Sequence, residues 1–540
     1  MSDTPSAPKP DSKPAASRPA KPKRGLLKSS AIVSSMTMLS RVLGLVRDIL
    51  LARFIGAGGD ADAFYVAFKV PNFLRRLFAE GAFSQAFVPV LSELRQNGTH
   101  AAVQHFVDRV AGCLGLSLLA LTLLVVVASP GVAAIFGTGF IAKAEWDKFW
   151  LTSDLLKITF PYLFLISMTG FAGGILNSYD RFAVPALTPI FLNVALIAAA
   201  ALVSPHLERP VYALAWGVFV AGVLQLSLQL PFLARLSLLP RPKVDWKDKQ
   251  VVKVLKLMAP AMFGVSVSQI NLTLDTILAS FLVDGSISWL YFSDRLIELP
   301  LGVFAVGIAT VILPNLSRQH SADDGRFGPT LEWAMQMVLL IAVPATLALV
   351  LLAKPLLFTL FQYNSMQAHD MNMAALSLQA YALGLCAFML IKVLASAYYS
   401  RQDMKSPVRI GIIAMVANMF MNFAFVLPLL WLWNVGHVGL ALATSGSAML
   451  NAFLLYRGLK KAGVLTMGAH WPVFGARLLF AALAMAAALL LVLEQQSDYE
   501  LLSWLQRSSQ LALLVVVGLA CYGAALFLSG MRPRHLRPLA

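Results

Sequence analysis

The stretch FVDRVAGCLGLSLLALTLLVVVAS, residues 106–129, carries no charged side chain after Arg109. About 20 apolar residues in an α-helix cross the ~30 Å hydrocarbon core of a bilayer, and runs of this kind recur along the whole chain. Of the 540 residues, 58% are hydrophobic and 13% are charged, and the mean hydropathy is +0.72. Soluble domains are typically about 45–50% apolar and about 25% charged, and barrel strands would alternate in hydrophobicity. The sequence therefore predicts an all-α polytopic membrane protein.

Fourteen membrane-spanning helices are predicted from these runs. They lie near residues 30–55, 61–93, 106–129, 153–177, 185–204, 210–234, 254–283, 286–316, 330–353, 373–400, 407–430, 437–457, 472–493 and 509–530. The second and eighth runs are long and contain Pro71 and Pro300. Because proline lacks a backbone N–H and clashes with the preceding helical turn, these two spans are predicted to be bent or broken.

Basic side chains mark one side of the membrane. They occur in the N-terminal tail, in the connection after span six, in alternate connections thereafter, and at the C-terminus. The positive-inside rule predicts that these segments, and so both termini, are cytoplasmic. This distribution accounts for the net charge of +16, so no nucleic-acid partner is indicated. Residues 1–28, rich in Pro, Ser, Ala and Lys, are predicted to form a disordered cytoplasmic tail rather than a cleaved signal peptide.

Two short segments indicate an internal duplication. DILLARF at 48–54 resembles DTILASF at 275–281, an offset of 227 (275 minus 48), and Arg295 follows Lys69 at an offset of 226 (295 minus 69). Parallel repeats around a midplane site are a recurrent transporter architecture. The prediction is a first lobe of six helices, a basic connection, a second parallel lobe of six helices, and a C-terminal pair of helices with a tail. The boundaries are 29–236, 237–253, 254–461 and 462–540.

Charged residues inside the spans are concentrated in the first two helices of each lobe. The set comprises Arg41, Arg47, Asp48, Asp62, Lys69, Arg75, Arg76, Glu80, Asp294, Arg295 and Glu298, with Asn72 and Ser288 beside them. A charge at the bilayer centre costs about 2.5–3.5 kcal/mol on insertion scales and usually faces a cavity or a partner. Basic residues outnumber acids in the first lobe, and arginine suits bidentate contact with phosphate. The pattern favours a cavity for an anionic, phosphorylated substrate.

Structural ion pairs are the simpler interpretation of the same residues. Arg41 and Asp48, seven residues apart, share a helix face, while Arg295 and Glu298, three apart, can pair directly. The basic residues near Arg75 could instead mark a membrane edge.

Asp275 in span seven and Lys392 in span ten allow two interpretations. They could form a structural ion pair, or Asp275 could couple transport to a cation. Asn418 and Asn422 in span eleven are typical of helix-packing contacts. The histidines are not clustered, the three cysteines fall inside apolar segments, and neither a P-loop nor an HExxH motif occurs. No metal site, cofactor, ATPase or other enzymatic activity is therefore predicted.

Several motifs are similar to those of one known family. They are SSMTMLSRVLGLVRD (34–48), DAFYVAFKVPNFLRRLFAEGAFSQAFVPV (62–90), LLKITFPY (155–162), GVSVSQI (264–270) and YSRQDMKSPV (399–408). The chain resembles the MurJ (MviN) lipid II flippases of the multidrug/oligosaccharidyl-lipid/polysaccharide exporter superfamily, from about residue 25 to 530.

The resemblance implies a fold, a substrate and a set of cavity residues. Two lobes would form a V around a central cavity, and the last two helices would add a groove for the undecaprenyl tail. The substrate would be lipid II, translocated from the cytoplasmic to the periplasmic leaflet of the bacterial inner membrane by alternating access. The cell-wall synthesis machinery would be a partner, and transport would be coupled to an ion or to the membrane potential. The family's cavity residues fall on Arg41, Arg47, Asp62, Asn72, Arg75, Ser288, Arg295 and Glu298, and Lys69 is a further cationic candidate.

Three other functions compete with this prediction. A flippase for another polyprenyl-diphosphate-linked glycan would need a similar cationic cavity. A MATE-like drug/cation antiporter would favour an acidic one, against Arg41, Arg47 and Arg295. A membrane glycosyltransferase would need a catalytic acidic site and usually an extramembrane domain, for which no connection is long enough.

Overall fold

The computed structural model describes residues 24–76, 83–322, 326–465, 467–496 and 498–532, and every secondary-structure element in these ranges is helical. The all-α prediction is confirmed. Most of the predicted tail, residues 1–23, and Glu80 lie outside the described residues. Residues 24–28, which the sequence assigned to the tail, form the first turn of α1.

Ten α-helices form the first half of the chain. They are α1 Arg24–Phe54, α2 Gly59–Arg75, α3 Phe83–Asn97, α4 His100–Val127, α5 Ser129–Phe136, α6 Thr138–Ala142, α7 Trp146–Thr159, α8 Tyr162–Ser178, α9 Ala183–Ala198 and α10 Val211–Arg235. Pro71 lies within α2, which continues to Arg75, so span two is not broken at this proline, and residues 77–82 lie outside the described residues.

Another ten helices complete the described chain. They are α11 Lys249–Ser280, α12 Ser286–Pro300, α13 Val306–Ala322, α14 Phe327–Leu351, α15 Ala353–Phe361, α16 Ala368–Ser400, α17 Lys405–Trp433, α18 Gly436–Lys461, α19 Trp471–Glu494 and α20 Trp504–Leu528. A π-helical segment, Leu301–Ala305, follows Pro300 and leads directly into α13. Span eight is therefore not broken at this proline, and its predicted bend stays a prediction.

Each of the fourteen predicted spans coincides with one or two of these helices. Ten helical segments of the described chain are long and apolar enough to cross a membrane. The other four predicted spans, which correspond to α1, α2–α3, α11 and α12–α13, do not meet this criterion. They include the helices on which the charged residues are concentrated. The full number of fourteen therefore stays a prediction.

The same helices are paired in the two halves. In the first half α1 packs along α9, and in the second half α11 packs along α17. An asparagine links each pair: Asn193 donates a hydrogen bond to the Ser40 carbonyl oxygen (2.9 Å), and Asn418 donates to Asn271 Oδ1 (3.0 Å). The pairing is in keeping with the duplicated sequence segments.

Helix α11 belongs to both halves, although the sequence assigned it to the second lobe from residue 254. Its first turns bury Val251 and Val254 in the cluster of the first half that includes Phe87, and Lys253 Nζ lies 2.6 Å from Glu93 Oε2. Its last turns form hydrogen bonds with α17 through Asp275.

The connection before α11 lies directly on α4. The backbone N–H of Arg241 donates to Asp108 Oδ1 (2.8 Å), and that of Lys243 donates to the Asp108 carbonyl oxygen (3.0 Å). A Cβ atom at Gly112 would lie 2.3 Å from the Lys243 carbonyl oxygen. Only glycine allows this approach, which fixes the basic connection to the first half.

Candidate substrate cavity

A cavity of about 280 Å3 lies between the two halves, and it is bordered mainly by α2, with Arg47 of α1, on one side and by α11 and α12 on the other. Its charged lining residues are Arg47, Lys69, Arg75, Arg76, Arg295, Asp294 and Glu298. An adjoining cavity of about 240 Å3, between α1, α9 and α12, shares Arg47, Arg295 and Glu298 and adds Arg41 and Asp48. Cations outnumber carboxylates in both linings, which suits an anion.

Arg47 is held in a fixed orientation by three neighbours. Its Nε and Nη2 donate to Asp48 Oδ1 (2.9 and 2.7 Å), and its Nη1 donates to Asn193 Oδ1 (3.0 Å). Its Nη2 also donates to the hydroxyl oxygen of Tyr291 (3.2 Å), across the boundary between the halves. Asp48 therefore pairs with Arg47, not with Arg41 as the shared helix face had suggested.

Arg295 reaches the same cavity from the second half. Its Nη1 donates to Glu298 Oε2 (2.7 Å), which confirms the predicted pair, and its guanidinium carbon lies 5.0 Å from the centre of the Tyr291 ring. About 29% of the Arg295 side chain remains exposed, and this surface lines the cavity. Arg47 and Arg295 thus line the same cavity, Arg47 paired with Asp48, and Arg295 with Glu298 and, at 3.9 Å, with Asp294.

Lys69 and Asn72 extend the cavity wall along α2. The ammonium group of Lys69 donates to Thr276 Oγ1 (2.9 Å) on α11, which is another bond between the halves. Arg75 Nε donates to Asn72 Oδ1 (3.2 Å). Within the described part of the chain, Lys69 forms no salt bridge, so its charge is available to a ligand.

Asp62 and Ser288 lie outside the walls of both cavities. Asp62, only 2% exposed, accepts hydrogen bonds from Ser288 Oγ (2.6 Å) and from the backbone N–H groups of Ser288 (2.9 Å) and Gly285 (2.8 Å). These bonds join α2 to the start of α12. We refer to the end of the molecule where they lie as the Asp62 end.

Further contacts join the halves at the Asp62 end. Lys148 pairs with Asp284, and Lys143 Nζ donates to the Leu282 carbonyl oxygen (2.6 Å). The backbone N–H of Gly139 donates to Ser280 Oγ (2.9 Å). A Cβ atom at Gly139 would lie 2.2 Å from the carbonyl carbon of Ser280, so the close approach depends on this glycine.

The predicted ion pair between Asp275 and Lys392 is not formed. Asp275 Oδ1 accepts hydrogen bonds from Asn422 Nδ2 (2.8 Å) and Asn418 Nδ2 (3.2 Å), and Thr444 Oγ1 lies 3.4 Å from its Oδ2. Lys392 is exposed, and no salt bridge joins it to Asp275 in the described part of the chain. Sequence spacing placed both residues in spans but could not show which faces of the helices meet.

Sequence reasoning missed two residues that shape the cavity. Asn193 lies in the apolar run IFLNVALI, and a lone amide inside a span was a signal for an interhelical contact. Tyr291 gave no signal of its own, since an aromatic residue in a span is usually part of the core. Its role is evident only from its position between Arg47 and Arg295.

The helical fold and the cationic cavity between its halves are those of a polytopic membrane transporter. The family model described as lipid II flippase MurJ matches residues 51–508. The chain belongs to this family, as the motifs predicted, and its members are transporters of lipid II rather than enzymes.

Relatives of known name match nearly the whole chain. It is 51% identical over 522 residues to the probable lipid II flippase MurJ of Vibrio cholerae serotype O1, covering 95% of this chain and 98% of the relative. It is 42% identical over 466 residues to the lipid II flippase MurJ of Burkholderia cenocepacia, covering 85% and 89% of the two chains.

Solved structures agree on the fold. A lipid II flippase MurJ in an inward closed conformation matches with a TM-score of 0.77 and 26% identity, covering 92% of this chain and 98% of that one. An inward-facing MATE family multidrug resistance transporter matches with a TM-score of 0.65 at 13% identity, covering 80% and 98%. The second likeness shows a shared fold alone, since the MATE transporter shares so little sequence.

Proposed function

We propose that this chain moves lipid II from the cytoplasmic to the periplasmic leaflet of the bacterial inner membrane by alternating access, with both termini in the cytoplasm. The observation that carries the proposal is the convergence of Arg47 and Arg295, one from each half, on a single cavity. Contact with the cell-wall synthesis machinery that supplies and consumes lipid II stays a prediction.

The chemistry of the substrate explains why such a cavity is needed. A diphosphate bearing sugars and a peptide cannot cross hydrocarbon unaided, whereas its isoprenoid tail need never leave the lipid. Arg47, Arg295 and Lys69 supply positive charge for the diphosphate. Asn72, Glu298 and Arg75 offer polar groups to the sugars and the peptide. The contacts between Asp62 and Ser288 close one end of the path and must break when that end opens.

Substitution of the two arginines tests the proposal. Arg47→Ala and Arg295→Ala should each abolish lipid II translocation in proteoliposomes while the protein still inserts at normal levels. The corresponding lysine variants should retain part of the activity, because lysine keeps the charge but loses the planar fork that matches phosphate oxygens. Binding of lipid II and protein abundance are measured on the same preparations.

Arg209→Ala is the matched control, since Arg209 pairs with Asp147 on an exposed connection outside both cavities. It should translocate lipid II like the wild type. If a well-expressed Arg47→Ala or Arg295→Ala protein bound and transported lipid II normally, the two arginines would not be the diphosphate site. Loss of both alanine variants from the membrane would instead support purely structural ion pairs.

We further propose that Asp275 is the site at which transport is coupled to a cation. The side-chain oxygens of Asn418 and Asn422 are buried beside Asp275 and have no hydrogen-bond partner among the described residues. Carboxylate, amide and hydroxyl oxygens, the last from Thr444, are ligands that hard cations accept. A bound cation would use the two oxygens that otherwise remain unsatisfied.

Asp275→Asn separates coupling from transport itself. The variant should lose the dependence of lipid II translocation on an imposed ion gradient, while Lys392→Met should keep it. Translocation is measured in proteoliposomes with sodium, potassium or proton gradients applied one at a time. An Asp275→Asn protein with wild-type dependence on each gradient would contradict the coupling role.

A further inference from the structure

Tyr291 is the point at which the two halves and the two arginines meet. Its hydroxyl donates a hydrogen bond to Asp48 Oδ1 (2.9 Å) and accepts one from Arg47 Nη2 (3.2 Å). Its ring stacks on Tyr65, with the ring centres 4.1 Å apart and the planes inclined by 23°. These three contacts cross from α12 to the first half. The Arg295 guanidinium packs on the same ring.

The hydrogen bonds of Arg47 leave only one of its edges for a ligand. A guanidinium has five N–H donors, and Asp48 accepts from Nε and from one N–H of Nη2. Asn193 accepts from one of the two N–H groups of Nη1, and the other N–H of Nη1 remains for a ligand. A phosphate bound in a bidentate manner needs two parallel N–H groups. Because Asp48 accepts from the edge formed by Nε and Nη2, these must be the N–H groups of the edge formed by Nη1 and Nη2. The Tyr291 oxygen already occupies the Nη2 half of that edge.

We propose that the Tyr291 hydroxyl holds the place of a phosphate oxygen on Arg47, and that its displacement by substrate couples binding to opening of the Asp62 end. The inference rests on the proposed function for the identity of the anion. A phosphate oxygen that takes the Nη2 donor removes one hydrogen bond between the halves. Of the three contacts named above, those with Asp48 and the Tyr65 ring remain, so the closed state is weakened as the substrate is bound.

Tyr291 acts through Arg47 and is therefore a positioning residue. Tyr291→Phe removes both hydroxyl hydrogen bonds but keeps the stacked ring and the contact with Arg295. We expect this variant to open at the Asp62 end without substrate, as the wild type does with lipid II. Because the variant loses a hydrogen bond to the charged Arg47, the ratio of open to closed molecules should rise about tenfold. Affinity for lipid II should be unchanged or higher, since the competing oxygen is gone.

The test is a distance measurement on the full chain in lipid nanodiscs. Spin labels are attached to Ala142→Cys and Asn364→Cys, two exposed positions at the Asp62 end, one in each half. The background lacks the native Cys113, Cys386 and Cys521. Distance distributions are recorded with and without lipid II, and lipid II affinity is measured on the same proteins.

Tyr398→Phe is the matched control. Tyr398 is another buried tyrosine, and its hydroxyl donates to the Leu455 carbonyl oxygen (2.9 Å) within the second half. It should leave both the distance distribution and the affinity unchanged.

An unchanged distance distribution in substrate-free Tyr291→Phe would overturn the proposal, and so would a lower affinity for lipid II. The second result would mean that the hydroxyl merely orients Arg47. If the wild type failed to bind lipid II, the proposed function would be wrong. The distances measured without substrate would still show whether the Tyr291 hydroxyl holds the two halves together.

Discussion

Single residues show how this protein keeps charges inside a membrane-spanning fold. Asp62 accepts three hydrogen bonds, Asp275 accepts two from asparagine amides, and Arg47 donates to three neighbours. Such bonds offset the cost of burying a charge. Lys69 has a hydroxyl partner and, among the described residues, no carboxylate, so it is well suited to attract an anionic substrate.

Asp248, which lies outside the predicted spans, caps the start of α11. Its Oδ1 accepts from the backbone N–H groups of Gln250 (2.9 Å) and Val251 (3.1 Å) at the start of α11, and its Oδ2 pairs with Arg109. Burial alone would raise the pKa of Asp248, but these hydrogen bonds outweigh it and hold the pKa below the ordinary value. Asp248→Ala should lower the free energy of unfolding by about 1 kcal/mol, measured by thermal or denaturant unfolding in detergent.

The pH dependence of this effect has a definite sign. A carboxyl group with a lowered folded pKa stabilises the protein fully above its unfolded pKa of about 3.9. The advantage of the wild type over Asp248→Asn should therefore be constant at neutral pH and shrink as the pH falls through the lowered pKa. Asp245→Ala is the control, since Asp245 is more exposed and does not cap α11. Equal losses in both variants would argue against the capping role.

At the scale of helices, backbone proximity decides where the halves touch. The short helix α6 presents Gly139 to the end of α11 so closely that no side chain fits between them. This contact depends on shape rather than on charge, because the neighbouring atoms are backbone atoms of Ser280 and Phe281, which cannot move away by a change of rotamer. The Asp62 end can close fully only while this position lacks a Cβ atom.

Gly139→Ala should therefore shift the protein toward the state that is open at the Asp62 end. The reporter is Ser286→Cys, because Ser286 is fully buried at the start of α12 and its hydroxyl has no hydrogen-bond partner in the described ranges. Its labelling by a thiol reagent should become severalfold faster in Gly139→Ala. Gly131→Ala is the control, since no described neighbour lies within 4 Å of a Cβ atom there. The same labelling rate in both backgrounds would show that α6 does not limit closure.

In the whole molecule, the basic connection before α11 and the Asp62 end lie far apart. Helix α11 has 32 residues and therefore spans about 48 Å, from the basic connection to the Asp62 end. The basic connection is fixed to α4, and the Asp62 end carries the contacts between Lys148 and Asp284. We therefore expect the two groups of charges to lie on opposite sides of the membrane.

Topology is the prediction at this scale. Cysteines introduced at Lys247 and Ala142, both exposed, should react with membrane-impermeant reagents from opposite sides in intact cells. The positive-inside rule expects labelling of Ala142→Cys from the periplasm and of Lys247→Cys only after permeabilisation. Labelling of both from the periplasm would overturn the assignment of spans.

Several features were determined by the sequence alone. Uninterrupted apolar runs dictate helices, because a bilayer leaves no water to satisfy an extended backbone. The concentration of charges in the spans around Arg47 and Arg295 indicated a polar cavity, and the motifs around them indicated the family. Each of these properties belongs to one helix or one segment, so it can be predicted without knowing which helices are neighbours.

Only the tertiary structure decided which charges meet. Asp48 pairs with Arg47, Asp275 binds the amides of α17 rather than Lys392, and Asp62 closes onto the start of α12 instead of lining the cavity. The meeting of Arg47 and Arg295 at Tyr291 also required the structure. The physical reason is that hydropathy fixes how a helix lies in the membrane, whereas side-chain partners depend on its rotation and on its register against helices distant in sequence.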